Sequence, residues 1–142
     1  MDKIWPFISH HWLLSALFIL LLIAIFIFEA LSKKQSSAHI SPQETIQLIN
    51  RHEAVVIDIR SREAFIRGHI INAIHLPFAA LQKDIQKLIE HKHKPIVIVC
   101  EQGLESVKAA KLIEQNEFDH VSILQGGMKA WREEDLPLEK GK

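Results

Sequence analysis

The sequence has little cysteine, little glycine and no excess of charge of either sign. Its one cysteine, Cys100, excludes an internal disulfide and gives no support to a structural zinc site built from cysteine thiolates. Because 17 Lys and Arg residues balance 17 Asp and Glu residues, no overall positive field would attract nucleic acid, and no nucleic-acid partner is expected. The five glycines form no phosphate-binding motif of the dinucleotide or P-loop kind. We expect neither a cofactor nor a metal ion.

One long run without charge stands near the start of the chain. Seventeen residues from Trp12 to Phe28 contain no charged side chain, and they are apolar on all sides rather than striped. This composition predicts a transmembrane helix, with room in the remaining chain for one compact domain. The predicted organisation is an N-terminal flank at 1–11, a transmembrane helix at 12–29, a polar linker at 30–38 and a globular domain at 39–140.

The charges on either side of this run predict its orientation. Lys33 and Lys34 follow it, whereas Lys3 and the amino terminus precede it. The positive-inside rule then places the globular domain in the cytoplasm, as a single-pass protein of the inner (cytoplasmic) membrane. A cleaved signal peptide is the alternative, with Ala30-Leu31-Ser32 as its small-residue cleavage site.

Strand and helix patterns alternate through the rest of the chain. Short apolar runs predict strands at 54–60, 74–76, 95–99 and 121–124. Helical patterns occupy 42–52, 61–67, 78–90 and 106–114, with a last short helix through Trp131, which is expected in the core. A capping box at Ser41-Pro42-Gln43-Glu44 predicts the start of the first helix. Such alternation predicts an α/β fold with a mostly parallel sheet covered on both faces. In proteins with such a sheet, ligands bind at the carboxyl ends of the strands. Asp58, Arg60 and Cys100 lie at these ends.

The stretch that follows the strand at 95–99 is the candidate site. Cys100 stands where that strand ends, and Ser106 opens a helical pattern with the residue types of a capped first turn. Backbone N–H groups and the positive end of a helix dipole favour a thiolate or an oxyanion at such a place. The pattern therefore predicts a nucleophilic or sulfur-carrying cysteine. A buried structural thiol is the alternative interpretation.

Several short motifs together resemble the signature of rhodanese-like domains. In chain order from about Ile40 to Leu138, they are Asp58-Ile-Arg60, Gly68-His69-Ile70, Ala73, Pro77, Val99-Cys100, Gly126-Gly127, Trp131 and Leu136-Pro137. With the apolar run, the chain is most similar to the membrane-anchored single-domain rhodaneses of Gram-negative bacteria. The resemblance implies a five-stranded parallel sheet flanked by helices. It also implies that Cys100 carries sulfane sulfur as a persulfide, from a small sulfur donor or a protein persulfide to a nucleophilic acceptor.

The resemblance implies that a substrate-binding loop follows Cys100, and in this chain that loop is unusually acidic. Its residues are Glu101, Gln102, Gly103, Leu104, Glu105 and Ser106. Its six-residue length is that of sulfurtransferases rather than of the related phosphatases. Counted from Cys100 as the first position, active family members usually carry Arg or Lys at the second and sixth positions, where this chain has Glu101 and Glu105 or its neighbour Ser106. Since a like charge about 4 Å from a thiolate costs roughly 4 kcal/mol at an effective dielectric of about 20, we expect weak use of thiosulfate.

Two functions remain open on this sequence. Asp58, Arg60 and Glu63 are expected to form a structural ion-pair network that supports the loop. The retained Cys100 favours an enzyme that moves sulfur at the inner face of the membrane. The acidic loop favours a catalytically weak or inactive module that docks a basic partner, such as another membrane protein.

Overall fold

The computed structural model describes residues 11–32 and 37–141. The chain divides into two compact units, residues 1–35 and 36–142. Lys3, Lys33 and Lys34, on which the predicted orientation depends, lie outside the described residues.

The first unit contains one long helix, α1, which runs from Trp12 to Ser32. Its 21 residues rise by about 1.5 Å each, enough to cross a hydrocarbon core about 30 Å thick. Large apolar side chains are exposed along it. The stretch Trp12–Ala30 is long and apolar enough to span a membrane, and an N-terminal signal sequence has the same properties. The predicted apolar helix is therefore confirmed.

The second unit is built on a five-stranded, wholly parallel sheet with the strand order β1-β5-β4-β2-β3. The strands are β1 (Ala38–Ile40), β2 (Val55–Asp58), β3 (Ile74–His75), β4 (Ile96–Val99) and β5 (Val121–Leu124). The flanking helices are α2 (Pro42–His52), α3 (Arg62–Arg67), α4 (Phe78–Asp84), α5 (Glu105–Gln115) and α6 (Gly127–Glu133), with a 3-10 helix at Ile85–His91 after α4. This architecture confirms the predicted fold class.

The central strand β4 is buried on both faces. Ile96 and Ile98 pack into one hydrophobic cluster, and the alternating Val97 and Val99 pack into another on the opposite side. Helices cover both sides, which explains why the strand reads as a continuous apolar run rather than an alternating one. Trp131 belongs to the second cluster, as predicted for a core residue.

The edge strand β1 has no counterpart among the strands that the sequence patterns predicted. Ala38 pairs with Ser122 of β5 and His39 pairs with Ile123, both in parallel register. The hydroxyl of Ser37 donates to a carboxylate oxygen of Glu114 at 2.8 Å. The strand thus begins inside the stretch predicted as a linker. Three residues next to a polar segment are too few to show a strand period.

Two helix starts were predicted from capping patterns, and one prediction is wrong. At α2, Ser41 Oγ accepts the N–H of Glu44, and the Glu44 carboxylate accepts the N–H of Ser41 at 2.7 Å, which confirms the capping box. At α5 the helix begins at Glu105, its N-cap is Leu104, and no side chain caps it. Ser106 lies inside the first turn instead, because the helix begins one residue earlier than its pattern indicates.

Candidate functional site

Cys100 lies directly after β4 at the carboxyl edge of the sheet. Asp58, the last residue of β2, is paired with Val99 across the two neighbouring strands, so Cys100 and the Asp58-Ile59-Arg60 segment leave the sheet side by side. Cys100 is 3% exposed. Its Sγ accepts a hydrogen bond from the backbone N–H of Gly103 at 2.9 Å. The loop therefore curls back over the sulfur, and the amide of Gly103 is the predicted loop donor that bonds to it among the described residues.

Backbone hydrogen bonds from helix α6 hold this loop in place. The N–H of Met128 donates to the carbonyl of Cys100 at 2.9 Å, and that of Lys129 donates to the carbonyl of Glu101 at 3.1 Å. A Cβ on Gly127 would lie 2.4 Å from the Cys100 carbonyl oxygen, so only glycine allows this approach. Gly103 has a φ of +87°, which also favours glycine and lets its N–H face the sulfur. Two glycines thus determine the path of the loop.

The structure divides the predicted loop residues by exposure. Gly103 and Ser106 are buried, whereas Glu101, Gln102, Leu104 and Glu105 are exposed. The Ser106 hydroxyl has no hydrogen-bond partner within residues 11–32 and 37–141. A buried hydroxyl in the first turn of α5 therefore remains available to a group bound in the loop.

Asp58 and Arg60, which we call the floor, form a buried ion pair beneath the loop. Their side chains are 1% and 5% exposed. Arg60 Nε donates to both carboxylate oxygens of Asp58 at 2.9 and 3.1 Å, and Nη2 donates to Asp58 Oδ2 and to the Gly68 carbonyl at 2.7 Å each. Burial by itself lowers the pKa of Arg60, but the hydrogen bonds and charges of Asp58 and Glu101 outweigh it and raise that pKa. Arg60 therefore carries its positive charge in the folded protein.

The predicted supporting network is smaller than expected. Asp58 and Arg60 form it, but Glu63 is exposed and makes no ion pair with any described residue. Glu63 lies in the first turn of α3, where its carboxylate complements the helix dipole in solvent. Its inclusion in the network was wrong.

Glu101 and Arg132, which we call the rim, form an exposed ion pair on the outside of the loop. Glu101 Oε1 accepts from Arg132 Nη2, and Glu101 Oε2 accepts from Arg60 Nη1 at 3.2 Å. Burial raises the pKa of Glu101, but hydrogen bonds and charges of Arg132 and Arg60 outweigh it and lower that pKa. Two guanidinium groups thus compensate the carboxylate.

Because of this compensation, the loop is less acidic than its two glutamates indicate. Repulsion of a thiolate was expected from both Glu101 and Glu105, yet the charge of Glu101 is met by two cations. Glu105 is exposed and has no ion-pair partner in the described part of the chain. Sequence reasoning missed Arg132 because it lies 31 positions from Glu101. No short motif connects the two.

Comparisons with known proteins agree with this geometry. A model of the rhodanese-like domain family matches residues 41–134. An uncharacterised protein, YibN, of Escherichia coli K12 is 34% identical over 145 residues, which cover all of both chains. The thiosulfate sulfurtransferase GlpE of Coxiella burnetii is 32% identical over 93 residues, 66% of this chain and 85% of GlpE.

Solved structures show the same architecture. The crystal structure of a rhodanese-related protein from Thermoplasma volcanium superposes with a TM-score of 0.65 at 24% identity, covering 72% of this chain and 97% of that one. This likeness shows the fold alone, while the family model and the C. burnetii relative also match in sequence. The chain therefore belongs to the family of rhodanese-like domains.

Proposed function

We propose that this protein transfers sulfane sulfur, which it carries as a persulfide on Cys100. The observation that carries the proposal is the hydrogen bond from the Gly103 N–H to Cys100 Sγ at 2.9 Å. A backbone donor on the sulfur, with the amino end of α5 following, favours the thiolate that the chemistry requires. Likeness to a thiosulfate sulfurtransferase supports the same reaction class.

The proposed reaction has two halves, and neither requires an external oxidant or reductant. First, the Cys100 thiolate attacks the outer sulfur of a donor, so that an S–S bond forms on Sγ while the S–S bond of the donor breaks. The electron pair leaves with the rest of the donor, as sulfite from thiosulfate or as a thiolate from a persulfide. Second, a nucleophilic acceptor attacks the outer sulfur, and Cys100 leaves as the thiolate.

The test is mass spectrometry of the full-length protein in detergent after exposure to thiosulfate, to a cysteine-derived persulfide, or to buffer alone. We expect one added sulfur atom on Cys100, removed by cyanide and absent from Cys100→Ser. No adduct from any donor on folded protein would overturn the proposal.

We also propose that α1 anchors the domain as a single pass in the inner membrane, with the domain in the cytoplasm. The support is the length and apolar surface of α1, together with the excess of lysine after it. A reporter fused after Lys142 tests the orientation. If the reporter is active only in the periplasm, the proposed cytoplasmic location of the domain is overturned. A mature chain that lacks the first residues would instead identify a signal peptide.

A second candidate is a module that docks a basic region of a membrane protein. One observation favours it: Leu104 at the outside of the loop is 76% exposed, next to the uncompensated Glu105. An exposed apolar side chain beside an acid is suited to protein contact. Docking should survive the near-isosteric Cys100→Ser change, whereas sulfur transfer should not, so co-purification of the variant with a partner discriminates the two.

A further inference from the structure

A short segment after α6 returns to the end of α3, and we call residues 136–141 the strap. The N–H of His69 donates to the carbonyl of Glu139 at 2.9 Å, and the N–H of Glu139 donates to the carbonyl of His69 at 2.8 Å. Two residues further along, the N–H of Gly141 donates to the carbonyl of Ile66 at 3.0 Å. Three backbone hydrogen bonds therefore fasten the strap to the end of α3.

The strap is the more exposed side of this contact. None of its six residues is buried, whereas His69 is 2% exposed. Leu136 and Leu138 are only partly buried where they pack against the second hydrophobic cluster. Segments with few buried contacts open locally at a lower free energy than the core does. The strap can therefore leave its place while the sheet stays folded.

The strap holds the peptide unit that joins Gly68 to His69. The N–H of this unit donates to the strap, and its carbonyl accepts from Arg60 Nη2 at 2.7 Å. Because a peptide unit is planar, its N–H and its carbonyl cannot turn independently of each other. The strap therefore fixes the direction of a carbonyl that holds the guanidinium group of the floor.

Arg60 continues this connection to the loop that carries Cys100. Its Nη1 donates at 3.2 Å to Oε2 of Glu101, the residue next to Cys100 in the chain. Its other side-chain nitrogens bond to Asp58 and Gly68, so the guanidinium group cannot shift without losing a buried hydrogen bond. Hydrogen bonds of 2.9, 2.7 and 3.2 Å thus connect the strap with the loop.

The side chain of Glu139 adds a second fastening at the same place. Its carboxylate lies 3.6 Å from Nε2 of His69 and accepts the N–H of Asn72 at 3.4 Å. The ring of His69 is itself held by α3, since Nδ1 donates to the carbonyl of Phe65 at 2.8 Å and the ring stacks on that of Phe65. Both the backbone and the side chain of His69 thus anchor the strap.

We propose that the strap is a conformational device that regulates access to Cys100. In place, it keeps Arg60 on Glu101 and the loop closed over the sulfur, which is 3% exposed in this state. When the strap leaves, the carbonyl of Gly68 turns, Arg60 releases Glu101, and the loop opens. The inference concerns the motion of the loop and does not depend on the transfer of sulfur.

Hydrogen exchange of backbone amides, followed by NMR on the full-length protein in detergent, tests this connection. Glu139→Pro removes the N–H that bonds to His69. It should speed exchange at the amide of Gly103, the donor to Cys100 Sγ, by about fivefold. Equal exchange at Gly103 in wild type and Glu139→Pro would overturn the inference.

Two references separate a local effect from general damage. Lys140→Pro is the matched control, because the N–H of Lys140 has no acceptor in the described part of the chain. It should leave exchange at Gly103 unchanged. The amide of Ile98, in the buried strand β4, reports global unfolding and should exchange equally in all variants. A rise at Ile98 that matches the rise at Gly103 would mean that the whole domain is destabilised, and this would contradict the proposal.

Leu138→Ala is a milder variant for the case that proline at position 139 prevents folding. A Cβ on Gly68 would lie 3.4 Å from Cδ1 of Leu138, so this side chain packs directly on the joint. Shortening it should speed exchange at Gly103 by about twofold. No change at Gly103 would argue against the strap as much as a null result with Glu139→Pro.

A double-mutant cycle tests the route through Arg60. Glu101→Ala removes the acceptor of Arg60 Nη1, so adding Glu139→Pro to it should no longer change exchange at Gly103. The rate at which iodoacetamide alkylates Cys100 gives a second reading that needs no sulfur donor. Glu139→Pro should raise this rate in the wild-type background and not in Glu101→Ala. Additive effects of the two substitutions in both measurements would overturn the inference.

Discussion

The floor and the rim pair the same chemical groups in different surroundings. The side chains of Asp58 and Arg60 are 1% and 5% exposed, whereas those of Glu101 and Arg132 are 48% and 43% exposed. Breaking a buried pair leaves an uncompensated charge in a medium that solvates it poorly, but water replaces most of what an exposed pair loses. The floor therefore contributes more to the stability of the fold, whereas the rim sets the charge on the exposed side of the loop.

The largest effect is expected from breaking the floor. Asp58→Asn leaves Arg60 buried with only the exposed Glu101 as its anionic partner, and it should lower the free energy of unfolding by about 3 kcal/mol. Chemical unfolding of the full-length protein in detergent, followed by circular dichroism, measures this loss. Glu101→Gln is the control at the rim. Equal midpoints for the two variants would show that burial does not distinguish the pairs.

Breaking the rim should have a smaller effect on stability but a clear effect on the rate of sulfur loading. Glu101→Gln should change the free energy of unfolding by less than about 1 kcal/mol. By releasing Arg132 and Arg60 Nη1 toward an anionic donor, it should speed sulfur loading from thiosulfate by roughly tenfold. Mass spectrometry of Cys100 against time measures the rate. Glu105→Gln removes a carboxylate without freeing an arginine, so a gain equal to that of Glu101→Gln would argue against this mechanism.

The smallest effect is the dependence of the rim on pH. The pKa of Glu101 lies below its ordinary value of 4.5 in the folded protein, so its ion pairs stabilise the fold above that value. This contribution disappears as the pH falls through the lowered pKa. In thermal unfolding, the Tm of the wild type should therefore lie slightly above that of Glu101→Gln at neutral pH. In strong acid the two Tm values should be equal. A gap that stays constant with pH would mean that the carboxylate charge is not its source.

The sequence predicted the parts of the fold whose signal is local. The buried strands β2, β4 and β5 appear as short apolar runs, and the capping box at Ser41 needs only residues three apart. The edge strand β1 was not predicted, because its pairing partners in β5 lie more than eighty positions away in the sequence. The start of α5 was misplaced because serine is preferred at the N-cap, whereas here Leu104 takes that position without a side-chain hydrogen bond and Ser106 lies within the first turn.

The candidate site was predictable in position but not in charge. That Cys100 follows a buried strand is readable from neighbouring residues, and so is the spacing of Asp58 and Arg60. The counterions of Glu101 are not, because they stand 31 and 41 positions away and approach it only in the folded domain. Counting charges along the loop therefore predicted a repulsion from both glutamates, whereas the folded protein compensates the charge of Glu101.

By itself, the sequence determined the apolar helix, the alternation of strands and helices, and the place of Cys100 at the end of a strand. These depend on side-chain patterns within a few residues. Only the tertiary structure decided which strands are neighbours, that α6 supports the loop through Gly127, and that the strap reaches His69. The reason is physical: burial, close approach and charge compensation are properties of neighbours in space, and the topology of the sheet brings these neighbours together.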